Sequence, residues 1–311
     1  MSERQKPIIV VGSINMDLVA SAPRIPVAGE TLVGTDFATT PGGKGANQAV
    51  AIARLGYPVQ MIGAVGEDVF GQSLLETLGA AGVEIGAVAR VSGPSGIAQI
   101  AVTHEGENSI IVVSGANGKV TPAFVEERSE LIRGAGMVLC QLELPLETVA
   151  ATLALCAKEG VPVMLDPAPA ADLPEQLWKQ VTWFTPNETE MALYLWGVPS
   201  PEDAAKRLLR TGLHGVVLKC GSAGAYVATA DETDWIPAFP VEAVDTVAAG
   251  DCFNGAFAVG LLEGHDPWSA ARFASAAAGL SVTRRGAQAS MPTRAEVNAF
   301  LLAKGEAWEK R

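Results

Sequence analysis

One segment joins an anion-binding backbone to a lone carboxylate: Ala243-Val244-Asp245-Thr246-Val247-Ala248-Ala249-Gly250-Asp251-Cys252-Phe253-Asn254-Gly255-Ala256. The apolar residues after Asp251 predict a helix. The first turn of a helix leaves backbone N–H groups without partners and carries partial positive charge. Ala248, Ala249 and Gly250 have almost no side chain, so an anion such as a phosphate can rest directly on their amides. A carboxylate beside a bound anion repels it, and that cost points to a purpose for Asp251, such as accepting the proton of an attacking hydroxyl. Asp is also a frequent helix cap, and both readings of Asp251 stay open at this level.

A second segment, Pro41-Gly42-Gly43-Lys44-Gly45-Ala46-Asn47-Gln48-Ala49-Val50-Ala51, also runs from glycines into an amphipathic helix, Ala49 to Leu55. Glycines permit positive φ and close approach of backbone to a ligand. Lys44 and Asn47 add a cation and a two-way hydrogen-bonding amide at the same helix start. No Ser or Thr follows the lysine as in a GxxxxGK[ST] loop, and Gln48 stands where a dinucleotide GxGxxG would need its last glycine. A structural turn and a ligand-binding turn are both compatible with these residues.

The composition narrows the chemistry. A net charge of −12 and a pI near 4.8 argue against nucleic acid or an anionic membrane as partner. A nucleotide bound to so acidic a chain needs local compensation from amide dipoles, a few cations and metal ions. Cys140, Cys156, Cys220 and Cys252 show no CxxC spacing and read as small core residues in a reducing compartment, while His104, His214 and His265 are equally scattered. A His/Cys zinc site is therefore not expected, nor is a GxSxG hydrolase elbow present. Magnesium held by phosphates and one or two carboxylates remains compatible. No run of about 18 apolar residues occurs, and Met1-Ser2-Glu3-Arg4-Gln5-Lys6 leads directly into a strand pattern. The expectation is a cytoplasmic chain with neither signal peptide nor membrane span.

These residues need a scaffold, and 311 residues, 49% of them apolar, suffice for one large α/β domain or a domain with an added subdomain. Strands are predicted at Ile8–Val11, Val59–Val65, Met137–Leu142, Val161–Leu165, Thr182–Thr185 and Val216–Lys219. Helices are predicted near Lys44–Leu55, Val69–Ala81, Pro122–Arg133, Leu146–Lys158 and Asp203–Arg210, then at Asp251–Glu263, Pro267–Thr283 and Thr293–Leu302. This alternation implies a doubly wound, mostly parallel sheet with helices on both faces. Two regions break the rhythm. Asn15–Thr40 is strand-like with turn punctuation at Pro23, Pro26 and Gly29, and Ile97–His104 with Ser109–Ser114 flank a predicted hairpin turn at Glu105-Gly106-Glu107-Asn108. These strands, about 15–40 and 97–114, are expected to form a small discontinuous sheet that covers a ligand or pairs with a second subunit.

In order along the chain, Gly12-Ser13-Ile14-Asn15-Met16-Asp17, Gly42-Gly43-Lys44-Gly45-Ala46-Asn47, Gln141-Leu142-Glu143, Thr185-Pro186-Asn187-Glu188-Thr189-Glu190, Asp245 to Asp251 and Thr283-Arg284-Arg285-Gly286-Ala287 resemble the signatures of the PfkB, or ribokinase-like, family of carbohydrate kinases. The resemblance spans nearly the whole chain, and implies a single ribokinase-like domain over 1–311 with a β-lid that also forms a homodimer interface. It implies ATP-dependent phosphorylation of a sugar, with Asp251 accepting the hydroxyl proton and the amides of Ala248, Ala249 and Gly250 forming an anion hole. Asn15, Asp17, Gly43, Lys44, Asn47 and Glu143, with Asp251, match sugar-binding positions. Asn187, Lys219, Gly221, Gly224, Gly250 and Ser275 match the ATP side. Glu190, in the NxxE motif, is associated with magnesium indirectly. Asp245, Val247, Ser281, Arg284, Gly286 and Ser290 match a potassium site built mostly from carbonyls. Ser275 is smaller than the residue relatives usually carry there, and Cys252 replaces a hydroxyl residue.

Within the family the polar set favours D-ribose, phosphorylated at its 5-hydroxyl. A sugar acid would want a further cation and a nucleoside an aromatic pocket, whereas the chain is 6% aromatic, with Phe37 the sole aromatic of the first lid segment. Other family substrates (deoxyribose, fructose, a keto-deoxy sugar acid, a nucleoside) are the alternatives, and a catalytically silent sugar or nucleotide sensor is the alternative of another class. A helix start lowers a carboxylate's pKa, which sets an expected tension with Asp251 acting as a base.

Overall fold

Ile8, Ile9, Val10 and Val11 are all buried, as in a strand covered on both faces. The computed structural model, which describes residues 5–103, 105–194 and 200–308, places this run in an interior strand of the main sheet. Met1–Arg4 of the N-terminal reading and the histidine at 104 lie outside the described residues. The strands are β1 (Ile8–Val11), β2 (Asn15–Ala22), β3 (Asp36–Gly42), β4 (Val59–Gly66), β5 (Val88–Val91), β6 (Gly96–Thr103), β7 (Asn108–Val113), β8 (Met137–Gln141), β9 (Val163–Asp166), β10 (Trp183–Phe184), β11 (Gly215–Lys219), β12 (Gly224–Thr229) and β13 (Thr233–Pro237). The helices are α1 (Lys44–Arg54), α2 (Val69–Ala80), α3 (Pro122–Glu126), α4 (Ser129–Arg133), α5 (Leu146–Glu159), α6 (Glu175–Trp178), α7 (Glu188–Tyr194), α8 (Pro201–Leu209), α9 (Ala249–Leu262), α10 (Pro267–Ser281) and α11 (Arg294–Ala303).

Among the described residues the main sheet has nine strands, in the order β13-β12-β11-β10-β9-β8-β1-β4-β5. It is parallel from β5 to β11, while β12 and β13 are added antiparallel at one edge. Side chains alternate across a strand, so Ile8 and Val10 face one layer and Ile9 and Val11 the other. The first layer holds α1, α2, α9, α10 and α11. The second is built on α3, α4, α5 and α8. The predicted doubly wound architecture is therefore present. The antiparallel edge pair and β5 were not among the predicted strands.

One predicted helix is two. Pro122–Arg133 breaks at Arg128, whose backbone leaves the helical region between α3 and α4. Its guanidinium lies over the Phe124 ring and donates to the carbonyls of Phe124 at 2.8 Å and Ala87 at 3.1 Å. The side chain thus closes the end of α3 and ties it to the loop before β5.

The second sheet, of order β3-β2-β6-β7, matches the expected discontinuous lid. Asn15 and Met16 at the start of β2 are buried against the main body, whereas every residue of β7 is exposed, including Ile110, Ile111, Val112 and Val113. The lid is covered where it meets the site and bare at its far edge.

Helices α1 and α9 pack with their backbones close. A Cβ added to Gly255 would meet Ala51 Cβ at 2.9 Å and the Gln48 carbonyl at 3.0 Å. The contact requires a residue without a side chain, and it brings the start of α1 against the start of α9. The two chemistry-bearing segments, about 200 residues apart in sequence, meet here.

Candidate active site

Helix α9 starts earlier than the sequence predicts. Its first residue is Ala249, so Asp251 is the third helical residue and makes no capping bond. Ala248 precedes the helix with φ 59°, the sole non-glycine residue among those described with positive φ. A left-handed alanine costs on the order of 1–2 kcal/mol, and such strain collects at functional sites. The Ala249 amide donates to the Thr246 carbonyl at 3.3 Å, and that of Cys252 to Ala248 at 2.9 Å. Among the described residues the amides of Ala248, Gly250 and Asp251 have no such acceptor. The open donors are thus those of Ala248, Gly250 and Asp251, which replaces the expected trio of Ala248, Ala249 and Gly250.

The Asp251 carboxylate is occupied by two amides from α1. Asn47 Nδ2 donates to Oδ2 and Gln48 Nε2 to Oδ1, each at 3.0 Å. This replaces the helix-cap reading with that of a buried, oriented carboxylate. Burial pushes its pKa up to about 6, and nearby Asp166 pushes in the same direction; Lys44 and the two amides oppose them. The net shift is thus opposite to the depression expected from the helix start, with desolvation its largest cause. The group is basic enough to take a proton near neutral pH.

On the lid side of Asp251 lie the residues expected to bind a polyol. The Asp17 carboxylate sits over Gly42, where an added Cβ would come within 2.2 Å of it. Gly43, at φ +89°, would bring a Cβ within 2.7 Å of the Asn15 amide nitrogen. Both positions need glycine, one for space and one for conformation. Asn15 Oδ1 accepts from Asn117 Nδ2 at 2.6 Å, leaving the Asn15 NH2 as the group offered to a ligand. Glu143 Oε2 accepts from the Ser13 hydroxyl and, at 3.1 Å, from the Lys44 backbone N–H. Asn47 Oδ1 is buried without a partner, a cost of ~1–3 kcal/mol that a hydroxyl donor would remove. Burial, then Glu143 and Asp251, raise the Asp17 pKa to about 7. Burial alone would lower that of Lys44, but Asp251, Glu143, Asp166 and Glu190 outweigh it and keep the ammonium charged.

On the other side of Gly250 lies a cavity of about 540 Å³. All six residues expected at the nucleotide line it: Asn187, Lys219, Gly221, Gly224, Gly250 and Ser275. Phe239, Val241, Phe253 and Val282 supply its apolar wall. Lys219 leans toward the start of α9, its Nζ 3.4 Å from where a Gly250 Cβ would lie. The NxxE motif is a reciprocal cap at the start of α7. Glu190 accepts from the Asn187 backbone and side-chain nitrogens at 2.8 and 2.9 Å, and Asn187 Oδ1 accepts from the Glu190 amide at 2.9 Å. Glu190 therefore has a structural role in addition to any effect on a nucleotide-bound ion, and burial raises its pKa.

The six residues expected around a monovalent cation come from two loops pinned to each other. Asp245 accepts from the Val247 amide at 3.0 Å and the Gly286 amide at 2.8 Å, and the Val244 and Asp245 amides both donate to the Val282 carbonyl. Ser281 and Ser290 donate their hydroxyls to the carbonyls of Ala278 and Ala287, and Arg284 is paired with Glu296 at 2.6 Å. A donor set of carbonyls, hydroxyls and one carboxylate suits a hard cation. Asp245 and Val247 of this set lie immediately before Ala248 and the start of α9.

Sequence reasoning missed Asp166, Gln48, Gln141 and Asn117. Asp166 and Gln141 end parallel strands β9 and β8, and ligands of doubly wound sheets gather at the carboxyl ends of strands. Polar residues closing apolar strands were the available signal. Gln48 lay within the glycine segment but was weighed only as a missing glycine. Asn117 left no local trace, since its role is to hold Asn15 from a loop 102 residues away.

Residues 5–294 match the sequence profile of the pfkB family of carbohydrate kinases. The chain is 45% identical to a ribokinase of Bacillus subtilis (strain 168) over 295 residues, 94% of this chain and 99% of that one. It is 36% identical to a deoxyribokinase of Salmonella typhi, over 94% of this chain and 98% of the relative. Its fold is similar to the structure of Arabidopsis thaliana ribokinase complexed with ribose and ATP, with a TM-score of 0.89 at 37% identity over 95% and 98% of the two chains.

The raised carboxylates carry opposite consequences for activity and stability. Asp251 must be ionised to act as a base, so kcat/KM is expected to fall with pH through an acid limb near 6 to 7, shared by the coupled carboxylates. Asp17, raised in the fold, favours the folded state while protonated, and that contribution is lost as pH rises from about 4 through about 7. Asp17→Asn is therefore expected to weaken sugar binding yet raise Tm above pH 7 by ~2–4 °C. Its advantage over the native chain should widen from pH 5 to pH 8 in thermal melts. A variant that melts lower at pH 8 would show that Asp17 is not a strained charge.

Proposed function

The chain belongs to the pfkB family of carbohydrate kinases, and on that premise we propose that it transfers the γ-phosphoryl group of ATP to the 5-hydroxyl of D-ribose, giving ribose 5-phosphate. The observation that carries this reading is the position of Asp251. Its carboxylate is held by Asn47 from the expected polyol cluster, while Ala249 and Gly250, the two residues before it, line the 540 Å³ cavity. A hydroxyl on one side and a phosphoryl group on the other would meet at this residue. Phosphoryl transfer needs alignment and charge stabilisation more than covalent participation. Asp251 takes the hydroxyl proton, the free amides receive charge developing on the phosphoryl oxygens, and Lys219 adds a cation beside them.

Asn15, Asp17, Lys44, Asn47 and Glu143 bind the sugar hydroxyls, with the backbone at Gly43 closely apposed. Three carboxylates with one ammonium suit a neutral polyol and repel a sugar acid. A deoxyribose substrate would differ at one hydroxyl only, and the 36%-identical deoxyribokinase keeps that alternative open. Magnesium accompanies the nucleotide and neutralises phosphate charge. Among the described residues no cluster of three or more His, Cys, Asp or Glu is arranged to hold a metal ion; the proposal assigns the ion chiefly to the phosphates, with Glu190 acting indirectly. No helix among the described residues is long and apolar enough to cross a membrane; we infer a cytoplasmic enzyme without nucleic-acid or membrane partners.

The lid supports a homodimer. Ile111 is 62% and Phe37 63% exposed, and an open apolar edge strand invites pairing. Sedimentation should give twice the chain mass, and Ile111→Lys should shift it toward monomer.

Potassium is proposed to brace the turn that presents the amides, through Asp245, Val247, Ser281, Arg284, Gly286 and Ser290. Turnover is expected to be higher in potassium than in sodium at matched ionic strength, and Asp245→Ala should blunt the difference. Equal rates in both salts would remove the selective site.

The substrate and the base are tested together. Across a sugar panel, kcat/KM is expected to be highest for D-ribose, with loss of the 2-hydroxyl costing ~1–3 kcal/mol, the penalty of an unpaired buried polar group. Fructose should be poorer and adenosine nearly inert. Asp251→Asn should keep sugar and ATP binding within about tenfold but lower kcat by roughly 10² or more. Preference for another sugar would replace ribose and leave the kinase; an Asp251→Asn enzyme with near-native turnover would remove the base.

A further inference from the structure

The Asp251 carboxylate is one end of a buried chain that the proton-transfer step alone does not explain. Gln48 Nε2 donates to Asp251 Oδ1 and to Asp166 Oδ2, each at 3.0 Å. The other Asp166 oxygen accepts from Lys219 Nζ, also at 3.0 Å. Gln48 Oε1 accepts from Gln141 Nε2 at 2.7 Å. Gln48, Gln141, Asp166 and Asp251 are all at most 6% exposed. An amide lodged between two carboxylates must turn its NH2 toward both, because its oxygen would repel them. That oxygen then needs a donor, and Gln141 at the end of β8 supplies one. The orientation of Gln48 is thereby fixed from both sides.

We propose that Gln48 is a positioning residue that holds the proton acceptor Asp251 and, through Asp166, the phosphate-side cation Lys219 at one fixed separation, so that hydroxyl and phosphoryl group are aligned by a single buried amide. The proposal rests on the phosphotransferase reading of Asp251 and names what sets its geometry. Four elements converge: α1 carries Gln48, α9 Asp251, β9 Asp166 and β11 Lys219. Two buried like charges repel, and without a donor between them one would swing away or take up a proton. Lys219 balances Asp166 from the far side, and its Nζ also lies near Gly250, where the open amides begin. Gln141 acts one step further back, by locking the amide that does the holding.

Gln48→Met preserves approximate volume and helix propensity and removes both donors. Its kcat is expected to fall ~10- to 100-fold, the scale of a small misplacement of reacting groups. KM for sugar and nucleotide should stay within about threefold, and the acid limb of kcat should move to higher pH. The charged groups that act on Asp251 in that titration are Lys44, Asp166 and Asp17, with Lys219 paired to Asp166. Gln48→Glu keeps the shape and can donate only when protonated, so its kcat relative to the native enzyme should rise as pH falls from 8 to 6. A purely structural glutamine would show neither behaviour. Titration of ¹³C-labelled aspartate in the unliganded enzyme reads the Asp251 pKa without any substrate and should show it raised in Gln48→Met. This separates the two ideas: failure of the kinase reading appears as no sugar-dependent turnover in the native chain, while the carboxylate titration still reports on Gln48. An unmoved Asp251 pKa, or native kcat and pH profile in Gln48→Met, overturns the positioning role.

Discussion

Keeping the Asp251 carboxylate charged while buried is the constraint on which the rest of the site depends. An unpaired ion in a protein interior costs several kcal/mol even after relaxation, and Asp251 is 6% exposed. Its environment meets only part of that cost. Asn47 and Gln48 donate to it and Lys44 attracts it, yet its pKa still stands near 6, about two units above an ordinary aspartate. A fully satisfied carboxylate would be a poor base, and an unsatisfied one would be neutral at physiological pH. Partial compensation yields a group that is ionised near neutrality and still ready to accept a proton.

That compensation dictates the packing. The two amides come from the first two turns of α1, so α1 must lie against α9 closely enough for side chains of ordinary length to reach. Gly255 makes the approach possible on the α9 side, and Gly43 makes the turn into α1 possible on the other. Glu143, Asp17 and Asp251 share Lys44 as their cation. The cluster is therefore net negative and under strain until a ligand supplies hydroxyl donors. Burial and the neighbouring Glu143 and Asp251 raise the Asp17 pKa, so the carboxylate that the polyol reading needs is costly to keep charged in the unliganded site.

The nucleotide side is built on different physics. Its cavity wall is largely apolar, its glycines keep side chains out of the way, and its charged lining residues are Lys219 and Glu188. The Asp166–Gln48 contact joins the two halves, so a hydrophobic slot and a polar cup behave as one site rather than two neighbouring ones.

By itself the sequence determined the doubly wound class and the small separate sheet, and it singled out Asp251 and the candidate residues of both ligand regions, because these readings depend on local properties. Buried strands read as apolar runs, glycine-to-helix turns announce close backbone approach, and a small-residue turn before a helix announces an anion site. Tertiary structure decided what the local pattern could not carry. Helix α9 starts at Ala249 rather than Asp251, directly after Ala248 in the left-handed conformation. The pKa of Asp251 rose because its burial depends on α1, about 200 residues earlier. Glu190 became half of a cap as well as a candidate effector, and Asn117, Asp166, Gln48 and Gln141 gained roles only through partners distant in sequence. Hydrogen-bond direction and desolvation are properties of what surrounds a residue, and the chain order does not state its surroundings.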